Sequence, residues 1–344
     1  MKCKTLLLCV TLAFPTFLLG QRLETLTQKH GVSFRGIATH NNEVWVSGTS
    51  GTIGKSIDGG MHWTWLTPAG YETFDFRDIA VFSDKEALVM SAGSPAVILR
   101  TEDGGTSWNE VYRDGRPEAF LDGMDFNGRQ GFVVGDPTTE GTFQLLQTND
   151  KGKTWKDVTD FMFLIADDGE VAFAASGTSI RYLHRNVWVG TGGTTANVFR
   201  RNEKERRVDK LPCPMLQGGS SRGIFSLDFW SDKVGIAVGG DYMDDRIKEN
   251  TILLTSDGGK NWQSPENEGS GFKSCVRYID RNTVVATGTS GTDISYNGGR
   301  VWEPLSAEGF HTLAVDKNKK RVFMAGSDGR ISVFVMQTTP TKGK

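Results

Sequence analysis

The chain has 344 residues, of which 38% are hydrophobic and 23% charged, a balance that excludes an intrinsically disordered chain. Its 39 Lys and Arg residues are matched by 41 Asp and Glu. The formal net charge is therefore −2, which excludes a generally basic surface of the kind that binds nucleic acid. Glycine is enriched, at 42 residues or about 12% against a usual ~7%, and 20 Phe and 9 Trp accompany it. This composition favours short strands and an all-β fold.

The first twenty residues have the pattern of a secretory signal. Two lysines precede an apolar stretch from Leu6 to Leu19, and Gly20 is a small residue suited to the cleavage position. The alternative is a membrane anchor, but Pro15 interrupts the stretch, which is shorter than the ~20 apolar residues that cross a bilayer. We therefore expect residues 1–20 to be a signal peptide. The mature protein is then secreted or periplasmic, with no membrane span.

Cleavage would remove Cys3 and Cys9 and leave Cys213 and Cys275 in an oxidising compartment, where disulfides persist. A spacing of 62 residues does not tell whether the two thiols meet, so both the bridged and the free state stay open. No Cys follows Gly20, so a lipid-anchored start is not expected there.

A short motif of the form Ser/Thr-x-Asp/Asn-x-Gly-x-x-Trp recurs five times. Its acid or amide and its tryptophan are Asp58 and Trp63, Asp103 and Trp108, Asp150 and Trp155, Asp257 and Trp262, and Asn297 and Trp302. The tryptophans are 45, 47, 107 and 40 residues apart, and the long gap is close to two periods, which predicts a degenerate copy near residues 198–202. Repeats of this period are typical of solenoids and propellers.

Each repeat has room for four strands. An apolar strand such as Glu43–Ser47 precedes the motif, another such as Phe34–Ala38 precedes that one, and a strand such as Trp63–Leu66 follows it. A short connection joins each repeat to the next. Four antiparallel strands per repeat are the pattern of a propeller blade.

The two ends of the chain complete the last repeat. Residues 309–335 supply three strands, and residues 22–27 resemble the missing fourth. Pairing of this N-terminal strand with the last repeat would close the ring and remove the free sheet edges. Seven blades of ~45 residues need about 315 residues, close to the 344 − 20 = 324 of the mature chain. We predict a seven-bladed β-propeller over residues 21–335, followed by a flexible tail at residues 336–344.

The recurring motif suits a hairpin turn better than an active site. The Asp or Asn accepts backbone N–H groups, the Ser or Thr hydroxyl bonds locally, and the Gly adopts a positive φ. The Trp buries a large apolar face against the sheet. Five equivalent sites around a ring are not one catalytic centre, so we interpret the motif as structural.

The motif resembles the Asp-box, or bacterial neuraminidase repeat. Over nearly all of residues 22–335 the chain resembles the photosystem II stability/assembly factor-like family of seven-bladed propellers, whose bacterial branch is often labelled "oxidoreductase". The segments that carry the resemblance to this branch are Gly135–Pro137, Ala174–Ser179, Gly190–Gly193, Gly223–Ser226 and Gly239–Tyr242. The resemblance implies a propeller that acts as an assembly or stability factor. It brings no defined activity, and we do not transfer the photosynthetic role.

Ligands of propellers usually bind at the face that carries the blade-joining loops, around the central channel. Arg35, Arg77 and His311 occupy equivalent places in inner strands, within Phe-Arg-x-Ile or Phe-His-x-Leu patterns, so we expect them at one channel opening. The full set of candidate ligand-binding residues is Arg35, Arg77, Asp136, Glu170, Arg222, Asp241, Tyr242 and His311. Arginines and acids in one concave site suit a carboxylate, an acidic sugar or a peptide tail.

Two alternatives concern these side chains. In the first, which we favour over a ligand site, the inner-strand arginines pair with acids such as Asp78 and Asp122 and only seal the channel. Asp241, Asp244 and Asp245 offer oxygens to Ca²⁺, but we favour a solvated loop tip and expect no metal.

The sequence lacks most catalytic signatures. Phe34–Ile37 has no proline at the place that sialidases require, and Tyr278 is the only late candidate for a tyrosine nucleophile. The chain has no dinucleotide or phosphate-binding glycine loop, no G-x-S-x-G elbow and no histidine pair at metal-ligand spacing. We expect a monomeric, non-enzymatic scaffold without a cofactor that binds a protein or peptide on its channel face. The alternative is a glycan-active enzyme or a carbohydrate-binding propeller that uses the same face.

Overall fold

The computed structural model describes residues 23–336, except 203, 205, 206, 317, 319 and 320. The predicted signal peptide and nearly all of the predicted tail lie outside the described residues. Within the described part, the chain forms seven antiparallel sheets, one for each blade of a closed propeller. The helices described there are α1 (Thr159–Met162) and a single 3₁₀ turn (Ser327–Gly329), and neither is long and apolar enough to span a bilayer.

The strands follow one another around the ring. The first is β1 (Leu23–Gln28). Blade 1 contains β2 (Phe34–His40), β3 (Glu43–Gly48), β4 (Ile53–Ser56) and β5 (Thr64–Leu66). Blade 2 contains β6 (Asp75–Val81), β7 (Ala87–Ala92), β8 (Ala96–Thr101) and β9 (Asn109–Asp114). Blade 3 contains β10 (Leu121–Asn127), β11 (Gln130–Pro137), β12 (Phe143–Thr148) and β13 (Lys156–Asp157).

The second half of the ring starts after the short strand β14 (Glu170–Val171). Blade 4 contains β15 (Ile180–Leu183), β16 (Asn186–Gly190), β18 (Asn197–Asn202) and β19 (Arg207–Pro212), with the two-residue β17 (Gly192–Gly193) lying between β16 and β18 in the chain. Blade 5 contains β20 (Arg222–Phe229), β21 (Gly235–Asp241) and β22 (Ile252–Thr255). Blade 6 contains β23 (Cys275–Tyr278), β24 (Val284–Gly288), β25 (Gly291–Ser295) and β26 (Glu303–Ser306). Blade 7 contains β27 (Thr312–Asp316), β28 (Arg321–Ala325) and β29 (Arg330–Val335).

The N-terminal strand closes the ring, as the sequence predicted. β1 pairs antiparallel with β29, with Leu23 opposite Phe334 and Gln28 opposite Arg330. Leu26 packs in the core between blades 7 and 1, beside Phe323. The last blade therefore joins the two ends of the described chain, and its edge is covered.

Blade 5 departs from the four-strand rule. Its outer strand is reduced to one bridge, in which Leu254 and Gln263 exchange two backbone hydrogen bonds of 2.8 and 2.9 Å. Pro265 follows two residues later and has no N–H to continue the ladder. On the inner side of this blade the short pair β14–β17 extends the sheet.

The core is divided into wedges between neighbouring blades. Phe34 and Val46 of blade 1 pack against Phe323 and Val333 of blade 7, and each other pair of sheets encloses a similar apolar cluster. Cys213 and Cys275 are both buried and free, so no disulfide joins them. In the described chain, packing of sheet faces rather than a cross-link holds the ring together.

The Asp-box residues bond within their own turn. In the second box the Asp103 carboxylate accepts bonds from the Thr101 hydroxyl and from the backbone N–H of Ser107, each at 2.9 Å. The Thr101 hydroxyl accepts the N–H of Gly105 at 2.9 Å, and the Trp108 indole donates to the Gly105 carbonyl at 3.2 Å. The bonds of the Asp and Thr explain why these residue types recur. The indole N–H groups of Trp155, Trp262 and Trp302 have no partner among the described residues, so the Trp recurs for its apolar packing.

Candidate functional site

A segment of mostly small residues crosses the middle of the ring. It comprises residues 172–179, and we call it the plug. Arg35 of blade 1 and Arg77 of blade 2 donate to the carbonyls of Ala175 and Ala174, at 3.4 and 3.2 Å. Gly177 bridges the inner strand of blade 3. Hydroxyl groups attach the plug to the opposite side of the ring. Ser176 donates to the Ser274 carbonyl beside blade 6 at 2.7 Å, and Thr178 donates to the Ser226 hydroxyl of blade 5 at 2.6 Å.

The plug divides the central channel into two cavities. The one at the face with the blade-joining loops has a volume of about 470 Å³, and we call it the channel-face cavity. The other lies at the face with the Asp-box turns and has a volume of about 640 Å³. Ala174 and Ala175 line the first cavity, whereas Gly177 and Thr178 line the second.

Bulges in the inner strands aim side chains into the channel-face cavity. The strand register shifts by one residue at Arg35 in β2, at Arg77 in β6, at Asp122 in β10 and at Phe225 in β20. All four of these side chains line the cavity. A bulge turns a side chain away from its ordinary strand direction, so the same local irregularity in four blades builds one site.

Five predicted site residues meet in this cavity. They are Arg35, Arg77, Asp136, Tyr242 and His311. Arg77 also pairs with Asp75, with 2.8 Å between Nε and Oδ2. Arg77 therefore pairs with an acid, as the sealing alternative expects, but that acid is Asp75 rather than Asp78 or Asp122. Asp78 instead lies beyond the plug and accepts the N–H groups of Ile79 and Met124.

The arginine corner of the cavity carries excess positive charge. Burial, and then the charge of Arg77, lowers the pKa of Arg35 to about 10. Burial, followed by the charges of Arg35 and Arg77, lowers the pKa of His311 to about 3, so its imidazole is neutral at physiological pH. Two guanidinium groups beside a neutral imidazole and one carboxylate form a site for an anionic group.

An acidic wall lines the same cavity. Asp122 is completely buried, and neither of its carboxyl oxygens has a hydrogen-bond partner among the described residues. Burial, and then the nearby charge of Asp136, raises the pKa of Asp122 well above its ordinary value. Asp136 accepts the Ala172 N–H at 3.1 Å, yet burial raises its pKa to about 6.

The rest of the wall is aromatic. Phe173 stacks on Phe225 with ring centres 3.9 Å apart, and Phe272 meets Phe225 edge-on at 4.7 Å. The Tyr242 ring lies edge-on to Phe225, with ring centres 6.1 Å apart, and half of the Tyr242 surface is exposed. An apolar wall between charged corners has the chemistry to contact the carbon skeleton of a ligand whose polar groups reach those corners.

Three predicted site residues lie elsewhere. Arg222 pairs with Asp241 at 2.9 Å, outside the residues that line the cavity. Glu170 is buried and bonds to Lys210 and Asn197, each at 2.9 Å. These pairs tie strands and loops together, because each carboxylate already has basic or amide partners.

The structure does not assemble a metal centre in the described part of the chain. No group of three or more His, Cys, Asp or Glu side chains there could hold an ion. Asp241 bonds to Arg222, and Asp244 bonds to Arg246 at 3.3 Å.

Sequence reasoning considered Asp122 only as a partner for the arginines, and it missed Phe225 and the plug. Asp122 follows Leu121 as Arg35 follows Phe34 and Arg77 follows Phe76, so comparison of the inner strands would have found it. The plug was visible as the small-residue segment Ala174–Ser179, but nothing in the sequence places that segment across a channel.

Comparisons with known proteins agree with this architecture. The model of the family "Photosynthesis system II assembly factor YCF48" matches residues 21–118 and 76–161. The Photosystem II assembly lipoprotein Ycf48 of Synechococcus sp. (strain CC9902) is 24% identical over 277 residues, which cover 70% of this chain and 76% of that protein.

Solved structures show the same fold at low identity. A structure of YCF48 bound to D1 peptide superposes with a TM-score of 0.65 at 16% identity, covering 92% of this chain and 97% of that chain. The GH74 enzyme of Niastella koreensis gives a TM-score of 0.61 at 15% identity and covers 91% of this chain but 53% of the enzyme. At such identities the structural match establishes the fold alone. The chain is therefore a seven-bladed β-propeller that is similar to proteins of the photosystem II assembly factor family.

Proposed function

We propose that this protein is an exported, non-enzymatic scaffold whose channel-face cavity binds a carboxylate-bearing end of a protein or peptide partner. The observation that carries the proposal is the meeting of Arg35 and Arg77 in one aromatic-walled cavity. Arg77 has one carboxylate partner, Asp75, and Arg35 has none among the described residues. A ligand carboxylate would supply the missing negative charge in a setting where burial strengthens the bond.

The size of the cavity and the family support a peptide as the ligand. A cavity of about 470 Å³ accepts one or two residues of an extended chain rather than a folded domain. The related YCF48 has been solved with a D1 peptide bound. A peptide terminus that enters the channel mouth would leave the surrounding loops free to contact the rest of the partner.

Export and a monomeric state are part of the same proposal. The N-terminal pattern of two lysines, an apolar stretch and Gly20 supports a cleaved signal. The Synechococcus relative is described as a lipoprotein, which is consistent with export. Closure of the ring by β1 covers the strand edge that would otherwise invite a second copy.

A glycan-active enzyme is the second candidate, because the cavity holds two acids and one structural neighbour is a GH74 enzyme. One observation weighs against sialidase-like chemistry. Tyr278 lines the cavity on the far side of the plug, so it does not share a site with Arg35 and Arg77. A nucleophile must reach the same sugar ring that the arginines hold.

The test compares a labelled, randomised octapeptide pool synthesised as free acids with the same pool synthesised as C-terminal amides. We expect the mature protein to bind the acids at least about tenfold more tightly, as measured by fluorescence anisotropy, because only they carry the terminal charge. Arg35→Gln and Arg77→Gln should each remove most of this preference.

Arg129→Gln is the matched control, because Arg129 is exposed at the opposite mouth of the channel. Equal binding of acids and amides would contradict the proposal. Hydrolysis of sialyl or uronyl glycosides that Arg77→Gln abolishes would favour the enzyme instead.

A further inference from the structure

The channel-face cavity contains a feature that carboxylate binding leaves unused. Asp122 has no exposed surface, and both of its carboxyl oxygens lack a donor among the described residues. Its bulge at the start of β10 nevertheless makes it part of the cavity wall, beside Asp136. A buried polar group without a partner is costly, so its persistence in a binding cavity points to a partner from outside the chain.

The protein's own cations do not satisfy this wall. The charge of Arg77 acts on the Asp122 carboxyl, but the Arg77 guanidinium bonds to Asp75 and to the Ala174 carbonyl. Asp136 has one backbone donor, the Ala172 N–H, and makes no ion pair in the described chain. The two carboxyls therefore have acceptor capacity left for a group that brings several N–H donors.

The cavity is thus bipolar. Arg35 and Arg77 form its positive corner, Asp122 and Asp136 form its acidic corner, and aromatic rings lie between them. The described residues contain no group of three or more acidic, histidine or cysteine side chains that could hold a metal ion. An ammonium or guanidinium group meets the requirement instead, because it supplies positive charge and several donors at once.

We propose that the Asp122–Asp136 wall is a second subsite, which binds the basic side chain of a Lys or Arg at the C-terminal end of the peptide ligand. This inference rests on the proposed function, because the terminal carboxylate of the same peptide occupies the arginine corner. The aliphatic stem of the basic residue packs on the Phe173 and Phe225 rings. The preferred partner is therefore a chain that ends in a basic residue, rather than any chain with a free carboxylate.

The test uses two octapeptides that differ only at the last residue, which is Lys in one and norleucine in the other. Both keep the four-carbon stem, and only Lys carries the ammonium group. We expect the Lys peptide to bind the mature protein at least about tenfold more tightly in calorimetry, through charge-assisted hydrogen bonds. In the double variant Asp122→Asn/Asp136→Asn, the ratio of the two affinities should fall to about one.

Two controls separate the possible outcomes. Asp84→Asn removes the same charge from an exposed turn at the other face and should keep the preference for Lys. Asp136→Asn alone changes a half-buried position and leaves the fully buried Asp122 intact. We expect this single variant to reduce the preference for the Lys peptide over the norleucine peptide.

Equal binding of both peptides by the wild type, or a preference for Lys that survives in the double variant, would overturn this inference. Each peptide is also made as its C-terminal amide. If the preference for acid over amide persists while Lys and norleucine bind equally, the second subsite fails and the proposed function stands. If acids and amides bind alike, or no peptide binds, the proposed function itself fails.

Discussion

Asp78 and Asp122 lie on neighbouring inner strands, and both are buried, but their carboxyls have different surroundings. Asp78 accepts the backbone N–H groups of Ile79 and Met124 at 2.8 and 2.9 Å. Asp122 accepts none in the described chain. Burial raises the pKa of both groups well above the usual range, and the N–H bonds offset part of this effect only for Asp78. Identical residue types on adjacent strands thus differ in their bonding, since Asp78 is hydrogen-bonded within the fold and Asp122 has no partner in the described chain.

Asp122→Asn should stabilise the free protein at neutral pH. A raised pKa in the fold means that the folded state holds the proton more tightly than the unfolded chain. The contribution of Asp122 to the free energy of unfolding is therefore fully present below the unfolded pKa of about 4. It is lost as the pH rises toward the folded pKa. The isosteric amide removes this loss, so we expect a gain of about 1–3 kcal/mol in the free energy of unfolding at pH 7.5, and a smaller gain at pH 4.

Urea unfolding at the two pH values measures this gain. Asp84→Asn, with the same charge change on an exposed turn, should give no comparable pH dependence. A destabilised Asp122→Asn protein at pH 7.5 would mean that the carboxylate has a favourable partner in the fold.

Among the structural elements, the Asp-box turns are local and the plug is not. The Asp or Asn and the Ser or Thr of a box bond within about five residues of chain, which is why the motif alone predicts the turn. The plug depends on partners from blades far apart in sequence, such as Arg35, Ser226 and Ser274. Its shape also needs Gly177, which has a φ of +71° and faces the Asp78 carboxyl so closely that a Cβ would overlap it.

Gly177→Ala should therefore destabilise the protein more than an ordinary glycine substitution. Gly128 is a matched control, since its φ is +68° and nothing lies within 4 Å of the position a Cβ would take. We expect Gly128→Ala to cost about 1 kcal/mol through its backbone conformation, and Gly177→Ala to cost at least about 2 kcal/mol more through the clash.

Chemical denaturation of the two variants gives the difference directly. Equal losses would show that the plug moves aside readily to admit a side chain. In that case, the separation of the two cavities would not depend on a close fit at Gly177.

At the scale of the whole molecule, stability depends on ring closure. Each apolar wedge needs two sheets, and the wedge between blades 7 and 1 contains Leu26 of β1 along with residues of β2 and β28. Loss of β1 would leave β29 as an open edge and unpack that wedge. Because the wedges share sheets, damage at one junction weakens the whole ring.

A mature protein that starts at Lys29 should unfold at a lower temperature, by at least about 5 °C, and associate through the exposed edge. Calorimetry and size-exclusion chromatography measure the two effects. A synthetic peptide of residues 21–29 should restore the transition, whereas the same peptide with Leu23→Ser and Leu26→Ser should not, because both leucines pack in the wedges beside β1. An unchanged transition in the shortened protein would show that β1 does not close the ring.

The amino-acid sequence by itself determined the blade count, the Asp-box turns and the closing strand. These features rest on local hydrogen bonds, on a regular period and on the strand missing from the last repeat. It also predicted that Arg35, Arg77 and His311 would meet, because equivalent positions of a symmetric ring face one axis.

Only the tertiary structure decided what surrounds Arg35, Arg77 and His311. The plug, the aromatic wall and the unpartnered Asp122 depend on contacts between side chains that lie tens to hundreds of residues apart. Glu170, Arg222 and Asp241 were expected in the same site but form pairs elsewhere. Residue type alone does not tell whether a charged group is paired or left for a ligand, because burial and the positions of its neighbours decide that.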